Sequence, residues 1–309
     1  MSSNAPWFKL NDWTLMAVTG PQAQAFLQGQ VTCDVSDLFA TAEHGETRLG
    51  AHCTPKGRMQ FSFRALARSE EHFLLRVPVS MVAAVKESLG KYILFSKAEL
   101  TEESERYHLR GLYGEQARAA LIDHLAEPSE VPGQWRGTED GSVLLTLGEH
   151  QYECWLSAEA AETLERALGE PEPRDELWRL LEIRAGRGEV LPPTREQFTP
   201  QALNFPLLGA VSFRKGCYTG QEIVARLHYK GKLKAHMRRL EATGAGQCSP
   251  GTPIHREGGK KAGEVIMAAD AGKDALECLA VLDDSALEQV LSIGESFSAR
   301  VATLPYTVG

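Results

Sequence analysis

The sequence predicts an α+β protein that consists of two mixed units followed by a unit of strands. Up to about residue 168, short apolar runs typical of strands alternate with amphipathic stretches typical of helices. From Lys232 onward the chain shows short β runs separated by Gly and Pro turns, a spacing typical of a small antiparallel barrel. With 309 residues, the chain is long enough for about two or three domains, each with its own hydrophobic core.

The predicted elements begin with a strand at 13–18, a turn at Gly20-Pro21 and a helix at 22–28. Residues 45–103 then have the pattern of a compact α+β unit, and residues 106–168 repeat it. The later predicted elements are strands 58–66 and 72–77, helix 80–89, strands 92–100 and 107–112, helix 116–125, strands 142–147 and 152–156, helices 158–168 and 175–184, and strands 262–268, 277–282 and 296–304.

Composition narrows the class of protein. Hydrophobic residues make up 43% and charged residues 24%, as in ordinary globular proteins, and a net charge of −8 excludes a polycationic nucleic-acid binder. The first residues lack the pattern of a signal peptide, and no apolar run approaches the roughly 18 residues of a membrane span. Six scattered cysteines without a C-x-x-C pair predict neither a disulfide framework nor a metal site. We therefore expect a cytoplasmic protein with reduced thiols.

One thiol stands out from the other five. Cys217 follows Arg214 and Lys215 and precedes a Thr-Gly-Gln-Glu stretch that has the form of a capping box, in which Thr219 and Glu222 would cap each other's backbone N–H groups. A helix N-terminus and two cationic neighbours both favour a thiolate, so Cys217 is the predicted reactive thiol. The alternative is a small buried hydrophobe, the commonest role of a free cysteine.

Cys53 is a weaker second candidate, because its neighbour His52 gives it polar company. Charge gives more support to the Cys217 segment. Residues 214–239 carry eight Lys or Arg and a single Glu, a local charge of +7. A basic strip on an acidic protein is typical of a site for an anionic ligand, either a carboxylate-bearing cofactor or nucleic-acid phosphate. A solvated charged surface is the alternative.

Two tryptophans are candidate platforms for a planar ligand, namely Trp13 on the first strand and Trp178 on the helix before a Pro-rich loop at 191–194. Either one, taken alone, is more often a core residue. The motifs of phosphate-loop ATPases, dinucleotide oxidoreductases, zincins and α/β-hydrolases are absent from the sequence, which disfavours those four classes.

The stretch from Phe213 to Arg226, Phe-Arg-Lys-Gly-Cys-Tyr-Thr-Gly-Gln-Glu-Ile-Val-Ala-Arg, closely resembles the signature of the YgfZ family. These are folate-binding proteins related to the aminomethyltransferase, or T-protein, of glycine cleavage. Further matching segments lie in the same order along nearly the whole chain: residues 26–32, 51–53 with 56–57, and 198–204.

This resemblance implies an aminomethyltransferase-like ring of three domains: two α+β domains and a C-terminal antiparallel β-barrel. The implied boundaries are 1–44 with 104–231 for a discontinuous folate-binding domain, 45–103 for an inserted α+β domain, and 232–309 for the barrel.

The resemblance also implies roles for single residues. Tetrahydrofolate, or a one-carbon derivative, would be the cofactor, with its pterin ring between Trp13 and Trp178. The other implied folate contacts are Tyr218, Gln221 and Arg226. The implied catalytic residues are Cys217, as the reactive thiol, together with Lys215 and Glu222.

The family is implicated in maintaining iron–sulfur enzymes and thereby in tRNA methylthiolation. Folate and iron–sulfur enzymes or cluster carriers are therefore the expected partners, and direct contact with tRNA stays open. Where the T-protein has an acidic pair after the glycine that matches Gly57, this chain reads Arg58-Met59-Gln60. Methylene transfer needs such a group to handle protons, so glycine-cleavage activity is not expected. Two alternatives stay open: a folate-dependent one-carbon transferase or demethylase, and an RNA-binding module that uses the basic strip.

Overall fold

A computed structural model describes residues 5–39, 41, 43–173 and 176–308. The strands are β1 (Trp7–Lys9), β2 (Trp13–Thr19), β3 (His44–Glu46), β4 (Arg48–Cys53), β5 (Met59–Ser69), β6 (His72–Pro78), β7 (Glu99–Glu102), β8 (His108–Tyr113), β9 (Gln134–Gly137), β10 (Val143–Gly148), β11 (Gln151–Leu156), β12 (Ala235–Gly244), β13 (Pro253–Arg256), β14 (Lys261–Gly272), β15 (Ala275–Asp283), β16 (Leu291–Ile293) and β17 (Phe297–Ala302). The helices are α1 (Ala23–Gln28), α2 (Val82–Ile93), α3 (Glu115–His124), α4 (Ala158–Leu168), α5 (Glu176–Arg184) and α6 (Gln221–Lys230).

The chain divides into two compact units. The first consists of Met1–Gln30, Asp34–Leu49 and Phe63–Asp175, and the second of Val31–Cys33, Gly50–Ser62 and Glu176–Gly309. Strands β4 and β5 each begin in one unit and continue in the other. The three-domain boundaries expected from the sequence stay a prediction.

The first unit contains a six-stranded antiparallel sheet in the order β1-β8-β11-β10-β9-β3. Helices α3 and α4 pack on β8 and β11, and their apolar residues share one core with the sheet. Ser157 caps α4 by accepting a hydrogen bond from the N–H of Ala160, which satisfies one of the free donors at the helix start. Strand β2 pairs with both β6 and β7 in the order β4-β5-β6-β2-β7, so the first predicted strand is an interior strand of its sheet.

The second unit is built around a closed antiparallel barrel in the order β12-β15-β14-β13-β16-β17. Closure leaves no free strand edge, and the inward side chains form one apolar cluster that includes Leu240, Val265 and Leu282. Helix α5 packs on β14 and β15. The barrel confirms the prediction made from the Gly- and Pro-punctuated C-terminal sequence.

One predicted element is wrong and several are missing from the prediction. The expected strand at 92–100 is wrong for residues 92–98, because α2 extends to Ile93, the chain then turns, and β7 begins only at Glu99. The apolar residues that suggested the strand, Leu94 and Phe95, are instead exposed at 82% and 88%. Strands β1, β3, β4, β9, β12, β13 and β16 match none of the predicted ranges. Asp175, the expected first residue of α5, lies outside the described residues.

Candidate functional site

The candidate site in the second unit is the loop 214–220 that leads into α6. The helix begins at Gln221, and its N-cap is Gly220, which has φ +84° and no capping side chain. A Cβ on Gly220 would lie 2.5 Å from the Thr54 carbonyl oxygen and 3.0 Å from Cβ of Cys53. Only glycine allows both this left-handed conformation and this close approach. The start of α6 is therefore fixed against residues 53–54.

The predicted capping box does not form. The box requires Thr219 as N-cap and Glu222 at the third helical position, whereas Gly220 is the N-cap and Ile223 takes that third position. The reason is steric, because the approach to Thr54 requires glycine at the helix boundary and so moves the boundary one residue past Thr219. Glu222 still lies in the first turn of α6, where a carboxylate complements the positive end of the helix dipole.

Gly57 makes the matching approach from the facing turn. It has φ +70°, and a Cβ there would lie 3.0 Å from the Ile223 side chain. The turn is closed by hydrogen bonds from the N–H of Gly57 to the carbonyl of Thr54 (2.8 Å) and from the N–H of Thr54 to that of Arg58 (2.7 Å). Two of the segments in which the sequence resembles the family, 51–53 with 56–57 and 213–226, therefore meet through paired glycines.

Lys215 is buried, with 8% of its surface exposed. Its ammonium donates hydrogen bonds to the carbonyl oxygens of Val31 (2.8 Å) and Cys33 (2.7 Å) and lies 5.2 Å from the centre of the Tyr218 ring. Two carbonyl dipoles and an aromatic face replace the water that a buried ammonium loses. Lys215 thus holds the loop 214–220 against residues 31–33. The sequence had suggested a catalytic role for Lys215 and did not predict this structural contact.

Thr32 completes this attachment and was missed by the sequence analysis. Its hydroxyl donates to the Ala210 carbonyl (2.7 Å) and accepts from the N–H of Ala51 (3.0 Å). Its own carbonyl accepts from the N–H of Ser212 (2.9 Å). One fully buried threonine therefore ties together three segments that are distant in sequence. The only available signal was its position at the end of the matched segment 26–32.

Cys217 is exposed at the outer part of this loop. All six cysteines lie within the described residues, and none of the others is exposed: Cys248 is half-buried, and Cys33, Cys53, Cys154 and Cys278 are buried. Burial raises the pKa of the Cys53 thiol to about 12, so this second candidate stays protonated. The structure therefore separates one accessible thiol from a set of buried ones.

Tyr218, next to the thiol, is 6% exposed, and burial raises the pKa of its phenol well above the usual range. Its hydroxyl has no hydrogen-bond partner among the residues that the structure describes. A buried hydroxyl without a partner costs about 1–3 kcal/mol, so such a group in a loop beside a candidate site suggests a polar ligand.

The other predicted contacts of this unit differ in exposure. On α6, Gln221 is half-buried and Arg226 is exposed. Trp178 is fully buried on α5, together with Leu180 and Ile183, so it has no exposed face. Its position is that of a core residue.

Trp13 belongs to the first unit, where it opens β2 and is 7% exposed. The guanidinium of Arg76 lies 5.0 Å from the centre of its ring, an arrangement that gives a cation–π attraction. Arg76 Nε lies 3.2 Å from the carboxylate of Glu153, which also accepts a hydrogen bond from Trp155 (2.7 Å). A buried network of charge and aromatic rings therefore fixes the orientation of Trp13.

The basic strip is smaller than its sequence suggests, because three of its eight cations are engaged. Besides Lys215, Arg238 contacts Asp284 at 3.2 Å, and Arg239 contacts Glu277 at 2.7 Å. The five that remain are exposed and form no ion pair with any described residue: Arg214, Arg226, Lys230, Lys232 and Lys234.

The described residues contain no cluster of three or more His, Cys, Asp or Glu side chains that could hold a metal ion. No helix among them is long and apolar enough to cross a bilayer.

Comparison with solved structures identifies the fold. The chain superposes on the glycine cleavage system aminomethyltransferase T from Bartonella henselae with a TM-score of 0.76, over 98% of this chain and 86% of that one. The two sequences are 19% identical. The structure therefore has the aminomethyltransferase fold, which confirms the α+β class and the C-terminal barrel.

Comparison with characterised sequences identifies the family. No family model matches the chain. The tRNA-modifying protein YgfZ of Cronobacter sakazakii is 33% identical over 312 residues, which cover 97% of this chain and 92% of that protein. The signature around Cys217, the fold and this identity over nearly the full length agree, and the chain therefore belongs to the YgfZ family.

Proposed function

We propose that this protein is a folate-binding accessory factor of tRNA modification in which Cys217 is the reactive group. One observation carries the proposal: the loop is fixed on both sides of a single exposed thiol, by Lys215 before it and by Gly220 after it. A fixed loop is expected where a thiol must meet a partner in one orientation. The process follows from the Cronobacter relative, which is named a tRNA-modifying protein. With tRNA as the modified molecule, we propose a cytoplasmic location.

The distribution of thiols favours action on a partner's iron–sulfur cluster. Clusters are usually held by four cysteine thiolates. Four of the six cysteines are buried here, and the described residues offer no group of three metal-binding side chains. We therefore propose that Cys217 exchanges with, repairs or protects a cluster held by a partner enzyme or carrier. In this way the protein would support tRNA methylthiolation.

Tetrahydrofolate is the cofactor implied by the family resemblance, and Tyr218 supports it in the second unit. The partnerless hydroxyl of Tyr218 can bond to a polar group of the ligand, and the exposed Arg226 can pair with a carboxylate of the glutamate tail. Gln221 adds an amide on the first turn of α6. When bound, folate would supply a carrier for one-carbon groups.

The two tryptophans stand differently toward this ligand. Trp13 keeps a small exposed fraction and a fixed orientation, as a stacking platform requires. The full burial of Trp178 favours a packing role instead. We therefore keep Trp13 as a proposed folate contact. For Trp178 we propose instead a role in packing the hydrophobic core of its unit.

Folate binding is tested by titrating the purified protein with tetrahydrofolate and following tryptophan fluorescence and heat. We expect Tyr218→Phe to weaken binding about 2- to 12-fold, as for the loss of one hydrogen bond. The same change should slightly stabilise the free protein, because it removes a buried hydroxyl without a partner. Tyr113→Phe, at an exposed tyrosine of the first unit, is the matched control. Wild-type protein that gives neither quenching nor heat would refute folate binding.

A folate-dependent transferase or demethylase is the weaker candidate. The segment Arg58-Met59-Gln60 has no carboxylate to handle protons, and Arg58 is instead bound to the Gln197 carbonyl (2.5 Å). Turnover of labelled methylene-tetrahydrofolate that persists in Cys217→Ser would favour this candidate over the accessory role.

A further inference from the structure

We infer that α6 and the loop after it form a surface for RNA, at which exposed cations bind phosphates and an exposed tyrosine stacks on a base. The RNA surface consists of Arg214, Arg226, Lys230, Lys232 and Lys234 together with Phe213, His228 and Tyr229. The inference deepens the proposed function, because it assigns direct contact with the modified RNA to this chain. The choice of tRNA as that RNA rests on the proposed function.

The cations of the RNA surface are available to a ligand. All five are exposed, and none forms an ion pair with a described residue. Glu222 is the single carboxylate within residues 214–234. This local excess of positive charge lies on a protein whose net charge is −8, so it is not a general property of the molecule. Clustered cationic side chains without partners in the protein are expected to bind RNA phosphates and to release the counterions that had been condensed on the RNA.

The spacing places cation and aromatic ring on one side of the helix. Arg226, Tyr229 and Lys230 are separated by three and four residues along α6, so their side chains share a face. Lys232 and Lys234 follow in the short segment between α6 and β12. An aromatic ring bracketed by cations is the combination with which proteins bind unstacked bases and their phosphates.

The aromatic part of the RNA surface is preorganised. The Phe213 and His228 rings are stacked, with centres 3.8 Å apart and planes 13° apart. The His228 ring meets that of Tyr229 edge to face at 4.8 Å. Tyr229 nevertheless stays 68% exposed, which is unusual for a large aromatic side chain that already has ring neighbours. A ring that is oriented and exposed loses little entropy when a base stacks on it.

A cavity of about 740 Å³ adjoins the RNA surface and shares His228 and Lys232 with it. Its wall also contains His236 and Arg238, which both contact Asp284, at 2.9 Å and 3.2 Å. A cavity beside a stacking platform gives room for a base that leaves its strand. This favours single-stranded or looped RNA over a regular duplex, whose bases stay stacked.

The test is fluorescence anisotropy with the full chain and an unmodified tRNA transcript over a range of salt concentrations. A double variant, K230Q/K232Q, should bind at least 5-fold more weakly and lower the log–log salt slope by about 1.4, or about 0.7 for each cation on a single strand. K260Q/K273Q removes two exposed lysines of the barrel unit and should leave both quantities unchanged. Equal losses in the two double variants would overturn the inference, because the effect would then be one of net charge.

Tyr229→Ala should weaken binding about 5-fold or more with the salt slope unchanged, because stacking involves no counterions. The control Tyr113→Ala, at another exposed tyrosine, should have no effect. A polyuridine strand should compete with the tRNA better than a duplex of the same length. Competition by polyglutamate that equals that of polyuridine would overturn the inference in favour of an acidic protein partner.

The inference and the proposed function can fail separately. RNA affinity unaffected by Cys217→Ser supports a surface that works independently of the thiol. If Cys217→Ser also restores tRNA methylthiolation in full, the proposed function fails while the RNA surface stands. If wild-type protein does not bind tRNA even at low salt, the RNA surface is wrong while the thiol role is untouched.

Discussion

The ammonium of Lys215 lies 2.7 Å from the carbonyl oxygen of Cys33, although the two residues are 182 positions apart in the chain. This contact and its partner at Val31 hold the loop that presents Cys217. Lys215, which the sequence suggested as a catalytic residue, thus has a defined structural role. It keeps the segment before the thiol in place.

Replacing this lysine should destabilise the second unit. Lys215→Met keeps the length of the side chain but leaves two buried carbonyls without their donor, at a cost of about 2–4 kcal/mol. Urea unfolding should show a lower midpoint with an unchanged slope. Lys56→Met, at an exposed lysine of the same unit, is the control and should unfold like wild type. Equal stability of the two variants would contradict the structural role of Lys215.

The glycine at the start of α6 should tolerate no side chain. Gly220→Ala forces a Cβ into the Thr54 carbonyl at a left-handed φ, so we expect a loss of about 2 kcal/mol or more in unfolding free energy. Gly209→Ala tests φ alone, because that glycine has φ +68° and open space around it. Gly216→Ala is the control, because that glycine has neither a left-handed φ nor an atom close to the position of a Cβ. Thermal denaturation should rank the variants 220, 209 and 216 from the largest loss to the smallest, and any other order would contradict the close approach.

Thiol reactivity should reveal one fast cysteine in the native protein. Because four of the six cysteines are buried and Cys248 is half-buried, a chromogenic disulfide reagent should react quickly with about one equivalent of thiol. Cys217→Ser should abolish that fast phase, whereas Cys248→Ser should preserve it. Cys53, with a pKa raised by burial to about 12, should react only after unfolding. A fast phase that survives in Cys217→Ser would show that another thiol is accessible.

Asp140 gives a pH prediction for the first unit. Burial raises its pKa, but hydrogen bonds from Ser157, Thr138 and Ser142 outweigh that effect and lower it to about 2. A depressed carboxyl pKa stabilises the folded state above the unfolded pKa near 4 and loses this contribution as the pH falls toward 2. Because Asp140 is exposed, solvent screening limits the contribution to about 1 kcal/mol.

Asp140→Asn should therefore be less stable than wild type at pH 7, and the difference should shrink between pH 4 and pH 2. Denaturant unfolding at several pH values measures this difference directly. Asp123→Asn, a surface carboxylate on α3, serves as the control. A difference that is constant from pH 7 to pH 2 would exclude the charge of Asp140 as its source.

Periodicity in the sequence was sufficient for the elements that fold by local pattern. The apolar run of β2 and the amphipathic spacing of α4 predicted both elements, and Gly and Pro turns predicted the barrel. The failed strand at 92–100 shows the limit of that approach. Leu94 and Phe95 form an apolar run with Tyr92 and Ile93, yet they lie exposed beyond the end of α2, where hydropathy alone does not distinguish a helix end from a strand.

The chemical site was predicted in its position but not in its supports. The family signature located the loop of Cys217 from sequence, whereas the contacts that fix it come from residues far away in the chain. The carbonyls that bind Lys215, the hydroxyl of Thr32 and the approach of Thr54 to Gly220 are all non-local. The capping box failed for the same reason, because a tertiary contact and not local capping chemistry sets the first residue of α6.

Genetic complementation can determine whether Cys217 is the reactive group in tRNA modification. Cys217→Ser and Cys248→Ser variants would be expressed at equal level in a strain that lacks the endogenous protein, and methylthiolated tRNA nucleosides would be quantified by mass spectrometry. Cys217→Ser removes the exposed thiol with minimal change in size, and Cys248→Ser removes a half-buried one. We expect that Cys217→Ser fails to restore methylthiolation while Cys248→Ser restores it, and full restoration by Cys217→Ser would contradict the role of this thiol.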